Sequence, residues 1–578
     1  MCGILVAVGQ DATFQHRDLS SLRKRGPDAV GFWVNGNVRM GHTRLSIIGL
    51  DERGTQPLEN ESHVIAYNGE IYNFVALRDR LRDQGVHVRG STDTEVLLEA
   101  WSLWGPEILP ALTGQWAFVV LDKRSQRLTL VRDQFGIKPL YYLHDGGRLV
   151  ATSLLRTMAE VAPDARELDY RAMSEYVRYQ FTFGDKTFYR RVRKVLPGHL
   201  VEFDIKTGAA TSRSYENIFR TAGEREAITP AWIAGSRELL QRAVTESSIS
   251  DASFTTFCSG GIDSSLITRM ARPEVAYHCN YSDPECNETF FAKQVVASTP
   301  IRLFTVNAVE DFDLVERLRD IVDDFDELTI GSVILPLDDL LTQVHRRYKV
   351  VLTGTGGDEL FAGYVRFQLV LGQCYQDSYK GMFARVQRLD SATDRFELTH
   401  RKGEPACYRF YDDSAERAFG DAFAECRDDE SNDLSAMLRF DRQHFLQGLL
   451  NIDDKMCGRH SLESRPSFLH QEFVRRLLKA DQTELLPGSQ LKPVLRKIAA
   501  GIVPESVNQR SDKMGFTTPI GTFVNRSAHL VREQLLDSPF RDLYDLSHMQ
   551  FTAETKFSRE VFGLLMLDLW LNKYAAAP

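Results

Sequence analysis

The sequence predicts two joined folds: an α+β sandwich with largely antiparallel sheets, then an α/β domain with a parallel sheet and a mostly helical C-terminal part. Three observations predict this. Residues 1–200 carry short apolar or alternating runs closed by turn residues, among them GILVAVG, HVIAYNG, WAFVVLD, RLTLVRD and HLVEFD, which read as strands. From residue 230 helical and strand-like segments alternate, the pattern of a parallel sheet covered on both faces. Beyond residue 365 the periodicity is helical, interrupted by the charged stretch ECRDDESNDLS.

Taken in order, the first half shows one clear helix signal. It follows STDTE, where Ser91 or Thr92 caps and the apolar spacing then becomes helical. Residues 206–232 are polar and turn-rich and read as a linker between a first domain, 2–205, and a second, 233–578. In the second domain the helix PAWIAGSRELLQRAVTESS precedes strand SFTTFC, helix SSLITRMA, strand EVAYHCNY, helix TFFAKQVVAST and strand IRLFTVN. A further helical stretch leads to strand KVVLTG. In such sheets ligands bind beyond the carboxyl ends of the strands.

A chain of 578 residues exceeds one ordinary core, so two or more domains are expected. Hydrophobic residues make up 43% and charged residues 26%, the balance of a folded protein rather than a disordered one. The formal charge of −9 argues against a general nucleic-acid role, which needs a basic face. No run of ~20 apolar residues suggests a membrane span, and Asp11, His16, Arg17 and Asp18 interrupt any secretory signal. The eight cysteines form no Cys-x-x-Cys pair, so neither a zinc site nor a disulfide framework is expected, and a cytoplasmic location follows.

Three short stretches carry chemistry. The opening MCGILVAVG sets a cysteine before a glycine and an apolar run. Cys2 reads either as the first residue of a buried strand or, once Met1 is removed, as a thiol nucleophile with its own α-amine as base. Strand SFTTFC ends in SGGIDSS, where Ser259, Gly260, Gly261, Asp263 and Ser264 form a turn at a helix N-terminus, a place that favours an anion. No Gly-Lys-Ser/Thr follows, so the turn is not a Walker loop. Strand KVVLTG ends in TGTGGDELFAGY, with Gly354, Gly356, Gly357 and Asp358. Asp263 and Asp358 would then face each other across one sheet edge, a carboxylate pair suited to Mg2+ held with substrate phosphates.

With SGGIDSS and GGDELFAGY downstream of MCGI, the chain resembles the asparagine synthetase B family over nearly its whole length. SGGIDSS is similar to the pyrophosphate loop of enzymes that cleave ATP to AMP and pyrophosphate. The first half resembles a class II glutamine amidotransferase domain of N-terminal-nucleophile fold through RGPD (25–28), GHTRLSI (41–47), NGEIYN (68–73) and STDTE (91–95). The resemblance implies that Cys2 attacks glutamine and that Asn68 and the Gly69 N–H hold the oxyanion. It further implies that Arg44 takes the glutamine carboxylate while Asp93 and the Glu70 region take its ammonium. ATP would activate a small carboxylate as an acyl-adenylate, with Mg2+ as cofactor. Ammonia reaching it through a sheltered path would displace AMP. Lys513, in SDKMGF, matches the family's late lysine near the pyrophosphate and the reacting carbonyl. A homodimer is the family's common state.

Three positions depart from the pattern. Thr355 stands where the family carries an acid between the glycines; a neutral hydroxyl neither accepts a proton from an incoming amine nor holds a cation. Asn287-Glu288 stands for Asp-Glu, and His470 for Asp. L-Aspartate leads as acceptor, to give L-asparagine. Another carboxylate (a natural-product or sugar acid), or a different amine donor, remains open, with Glu359 or another residue filling the missing acid's role. A β-lactam-synthetase-like cyclase is disfavoured by intact Cys2, Arg44, Asn68 and Asp93. A scaffold with a dead nucleotide fold has only Thr355 in its support, and a sugar-phosphate amidotransferase lacks SGGIDSS.

Overall fold

The computed structural model describes the chain except residues 10–13, 89, 91, 221–224, 330, 375, 404, 428–431, 512–517, 549–550, 556–558 and 576–578. Its first half is built from strands β1 (Gly3–Val8), β2 (Ala29–Asn35), β3 (Val38–Arg44), β4 (Leu58–Glu59), β5 (His63–Ile71), β6 (Gly114–Asp122), β7 (Arg127–Arg132), β8 (Tyr141–Asp145), β9 (Arg148–Thr152), β10 (Val192–Lys194), β11 (His199–Asp204) and β12 (Ala210–Ser214). They form two antiparallel six-stranded sheets, β10-β8-β9-β1-β3-β2 and β12-β11-β7-β6-β5-β4. Alternation along β1 explains the layering. Ile4, Val6 and Val8 join Val64, Ala66, Val119 and Leu121 of the other sheet in a core between the sheets. Leu5 and Ala7 face outward and pack with Leu19, Leu22 and Met158. On the far face of the second sheet, Ile65, Phe118 and Val120 meet Leu77, Leu81, Val96 and Trp101 from the helices Phe74–Asp83 and Asp93–Trp104. The result is helices flanking a two-sheet sandwich.

Thr92 caps the helix Asp93–Trp104, its hydroxyl accepting from the Glu95 N–H at 3.3 Å; Ser91 lies outside the described residues. The helices Phe74–Asp83, Leu155–Val161 and Tyr170–Tyr179 were not among the sequence expectations. The expected linker also differs. Ala210–Ser214 pairs with β11 and extends the second sheet, and the helix Pro230–Ser247 opens inside the same span, so the connection is shorter than 206–232.

The second half centres on a five-stranded parallel sheet of order β15-β14-β13-β16-β17. Its strands are β13 (Phe254–Phe257), β14 (Val275–Asn280), β15 (Arg302–Asn307), β16 (Val350–Thr353) and β17 (Glu463–Pro466). Four of them are the strands read from the sequence; β17 is additional. Val350, Val351 and Leu352 are fully buried, as expected of a strand covered on both faces. β13 and β16 lie side by side, which brings the loops after Phe257 and Thr353 together at one sheet edge. From Val365 onward the chain is mostly helical. Among the described residues no helix is long and apolar enough to cross a membrane.

Candidate active sites

The first site lies where β1, β3 and β5 meet. The backbone N–H of Cys2 donates to Asn68 Oδ1 at 2.9 Å. Among the described residues, Asn68 Nδ2 is buried without a hydrogen-bond partner, as a donor reserved for a ligand would be. Gly69 follows with φ of +151°, and a Cβ there would sit 2.1 Å from the Gln115 carbonyl on β6. Only glycine fits this close approach. Burial pushes the Cys2 thiol above its ordinary range.

Around this centre stand the other residues singled out in the first half. The Arg44 guanidinium donates to the carbonyls of Asp51 at 2.6 Å and Ile48 at 3.2 Å, and to that of Gly49, so it also shapes the 48–51 loop. Asp93 accepts from the Tyr67 hydroxyl at 2.9 Å and the Ile71 N–H at 3.1 Å, while burial pushes its carboxyl up to about 6. Glu70 Oε1 lies 3.6 Å from Arg465, and its Oε2 is buried without a partner. Burial, with Asp93 nearby, holds the Glu70 carboxyl well above the usual carboxylate range. Two buried acids raised in this way make a receptor for a cation, which would lower both.

The second site lies beyond the carboxyl ends of β13 and β16. Ser259 to Gly261 turn the chain, with Gly260 at φ +79°, and Gly261 is the N-cap of the helix Ile262–Ala271. Ser264 Oγ accepts from the Ser259 N–H at 3.1 Å and lies 2.9 Å from its hydroxyl. Gly354 and Gly356 follow β16 before a short helix that starts at Gly357. A Cβ on Gly357 would meet Asp263 Oδ1 at 2.2 Å, so this glycine lets the two loops close on each other.

Asp263 and Asp358 do come together, as the sequence implied, but through a residue it did not flag. Lys492 Nζ bridges Asp263 Oδ2 at 2.5 Å and Asp358 Oδ1 at 2.7 Å. Burial alone would lower this ammonium; the two carboxylates hold it above its usual range. Lys492 caps the helix Pro493–Ala499 with φ of +55°. Its only signal was the Lys-Pro step inside LKPVLRKIA. Asp263 Oδ1 remains buried and unpartnered, and hard carboxylate oxygens at this edge fit Mg2+. A cavity of about 630 Å³ opens from Asp263 and Asp358 past Lys492 and Arg496 to Arg366 and Lys402. Lys513 lies outside the described residues.

The departures have partners. Glu288 pairs with Arg510 at 2.8 Å, and Asn287 Oδ1 accepts from the Thr289 N–H. His470 Nε2 lies 2.8 Å from Glu246 on the helix Pro230–Ser247. Glu359 does not reach Thr355; its carboxylate accepts from the Tyr364 hydroxyl. Thr355 instead donates to Asp453 Oδ2 at 2.6 Å, an acid on the helix Leu446–Arg459 that no local motif signals.

The same helix reaches the first site. Asp454 accepts from Arg25 Nη1 at 2.7 Å and Nη2 at 3.1 Å, and Arg25 Nε donates to the Cys2 carbonyl at 2.9 Å.

Comparison with known proteins places both halves of the chain in described domain families. A glutamine amidotransferase domain model matches residues 1–216, and an asparagine synthase model matches residues 235–572. Asparagine synthetase [glutamine-hydrolyzing] 1 of Bacillus subtilis (strain 168) is 28% identical, covering 99% of this chain and 96% of its own. A putative asparagine synthetase [glutamine-hydrolyzing] of Mycobacterium bovis is also 28% identical, covering 90% and 88%. Amidase chry2 of Gibberella zeae is 29% identical over 61% of this chain and 55% of its own. A match to the synthase model over more than half of the residues, joined to an amidotransferase domain, shows that the chain belongs to the asparagine synthase family and is a glutamine-dependent ligase.

Proposed function

We propose that the protein makes an amide from a small carboxylate, with L-aspartate as acceptor and L-asparagine as product. Cys2 and Asn68 carry the first half of this reading. With Met1 removed, the nitrogen now bonded to Asn68 Oδ1 becomes an α-amine, a base next to the thiol with a pKa near ~8. Cys2 Sγ attacks the glutamine carboxamide, and Asn68 Nδ2 and the Gly69 N–H receive the oxyanion. Glu70 and Asp93 take the substrate ammonium, and Arg44 its carboxylate. The α-amine passes the thiol proton to the leaving nitrogen, the C–N bond breaks to release ammonia and leave a thioester on Cys2, and water then hydrolyses the thioester to glutamate.

In the second site the acceptor carboxylate attacks the ATP α-phosphate, forming an acyl-adenylate and pyrophosphate. Ser259, Gly260, Gly261 and Ser264 cradle phosphate at a helix N-terminus, with Gly354, Gly356 and Gly357 letting the facing loop approach. Asp263 and Asp358 would hold Mg2+, which neutralises phosphate charge when bound. Lys492 and Lys513 supply fixed positive charge beside the leaving pyrophosphate.

A second reading keeps this machinery and changes the acceptor. Thr355, a hydroxyl at the family's acidic position, favours it, and the relatives include amidases. One experiment separates the two. Purified protein is given glutamine, Mg-ATP and L-aspartate, while AMP, glutamate and asparagine are followed together, with Cys2→Ala alongside. Equal rise of all three, and a variant that works only with added ammonia, support asparagine synthesis. Glutamate without AMP or asparagine overturns aspartate as acceptor, and a panel of other carboxylates then takes its place.

A further inference from the structure

The loop after β16 lacks an acid at Thr355, yet a carboxylate stands there. Asp453 Oδ2 accepts from the Thr355 hydroxyl at 2.6 Å and, at 3.4 Å each, from those of Thr353 and Ser464. Three hydroxyls, from β16, from the loop after it and from β17, surround one oxygen, while the side chain stays only half-buried. A carboxylate used solely to tie the helix to the sheet would be as well served by an amide. A charged group there costs desolvation, and none of the residues hydrogen-bonded to it carries a positive charge.

Position adds the second argument. Asp453 and Asp454 are consecutive, and they point to different sites. Asp454 reaches the Cys2 carbonyl through Arg25, whereas Asp453 reaches the nucleotide loop. Ser464, which donates to Asp453, also offers its carbonyl to Gln115 of β6 at 3.2 Å, directly opposite Glu70. Met1 is fully buried beside Arg25 and Leu462, so its removal opens space between Cys2 and this helix end. One helix therefore touches the Cys2 site through Asp454 and the loop after β16 through Asp453.

We propose that Asp453 is the proton acceptor for the incoming nitrogen, replacing from the helix Leu446–Arg459 the acid that the loop lacks at Thr355. This rests on the ligase reading above. The nitrogen lone pair bonds the acyl carbon, one N–H proton passes to the Asp453 carboxylate, and the C–O bond to the nucleotide breaks with its electrons leaving on AMP. The proton then passes from Asp453 to water as AMP departs. Burial pushes this carboxyl up to about 6, close to the working range of a base at neutral pH. The groups facing it are the hydroxyls of Thr353 from β16, Thr355 from the loop after it and Ser464 from β17, with Asp454 and the Cys457 thiol on its own helix.

The test measures three rates in one preparation: pyrophosphate–ATP exchange with L-aspartate or the carboxylate the panel selects, amide formation from ammonium chloride, and glutamate release from glutamine. In Asp453→Asn, amide formation should fall about 100-fold or more, the usual worth of a general base, with exchange and glutamate release within about threefold of wild type. The acid limb near pH 6 in the ammonia-dependent rate should vanish with it. Adding Thr355→Asp to Asp453→Asn should restore part of the rate, because the acid returns by the other route. Amide formation within threefold of wild type in Asp453→Asn overturns the proposal. So does a parallel loss of all three rates, which marks a structural role. Absence of exchange in the wild type with every acceptor overturns the ligase reading itself, a different result.

Discussion

At Gly69 the backbone alone sets the requirement, and the consequence is sharp. Its φ of +151°, and the mere 2.1 Å that would separate an added Cβ from the Gln115 carbonyl oxygen, leave no room for alanine. Strain of this kind costs about 1–3 kcal/mol and moves the N–H to which the proposed reaction assigns the oxyanion. Gly69→Ala should lose about 100-fold or more in glutamate release while ammonia-supported amide formation persists, as paired assays will show. Lys492 is a second such residue. Lys492→Met leaves Asp263 and Asp358 facing each other without their shared cation, and removes one of the two positive charges proposed for the phosphate site. Pyrophosphate exchange should fall about 100-fold or more with glutaminase turnover retained. Cys2, Asp263 and Asp358 were legible from the short stretches that hold them, and Asn68 through the resemblance that NGEIYN carries. Asp453 was not, since its partner Thr355 is 98 residues away and the contact exists only after folding.

At the level of elements, the parallel strands β13 to β16 were readable as apolar or alternating runs, whereas β17 carries a charge at two of its four positions. Its four residues, Glu463–Pro466, are all buried. Glu463 pairs with Arg465 at 2.8 Å and Lys138 at 3.6 Å, and Arg465 continues to Glu70. Hydrophobic patterning has no means of recognising a core strand whose burial depends on ion pairs from another domain. The helix Leu446–Arg459 falls in the region read as mostly helical beyond residue 365, but its two-sided use was not legible. Burial would raise the Glu463 carboxyl; Lys138 and Arg465 outweigh it and bring it down to about 2. A depressed carboxyl stabilises the fold above its unfolded value of about 4.3, and that contribution is lost as pH falls toward 2. Glu463→Gln strands two buried cations, so it should cost about 3–5 kcal/mol at pH 7. Thermal melts should show the gap between variant and wild type closing between about pH 4 and pH 2.

Across the whole molecule, the buried Arg25–Asp454 pair joins the two halves of the chain beside Cys2, the proposed nucleophile. Both side chains are 2% exposed, the fork is bidentate, and the remaining Arg25 nitrogen holds the Cys2 carbonyl. Burial favours neutral forms, yet mutual pairing lowers the Asp454 carboxyl and raises the Arg25 guanidinium. A pair of this kind is poor evidence for net stability, because apolar replacements of both partners are often neutral. Its use here is geometric: it fixes Cys2 against the helix whose preceding residue touches the second site. Arg25→Met alone leaves Asp454 buried and uncompensated, and should destabilise the fold by about 3–5 kcal/mol. Arg25→Met with Asp454→Leu should recover most of that loss, a coupling a double-mutant cycle on thermal unfolding will read. Recovery of stability should not bring recovery of coupling. In the double variant glutamate should form in excess over amide, with ammonia-supported synthesis retained, because each site works while Cys2 is no longer registered to the helix between them. A double variant that keeps glutamate and amide equal would show that the pair holds the halves together and does nothing for the transfer of nitrogen.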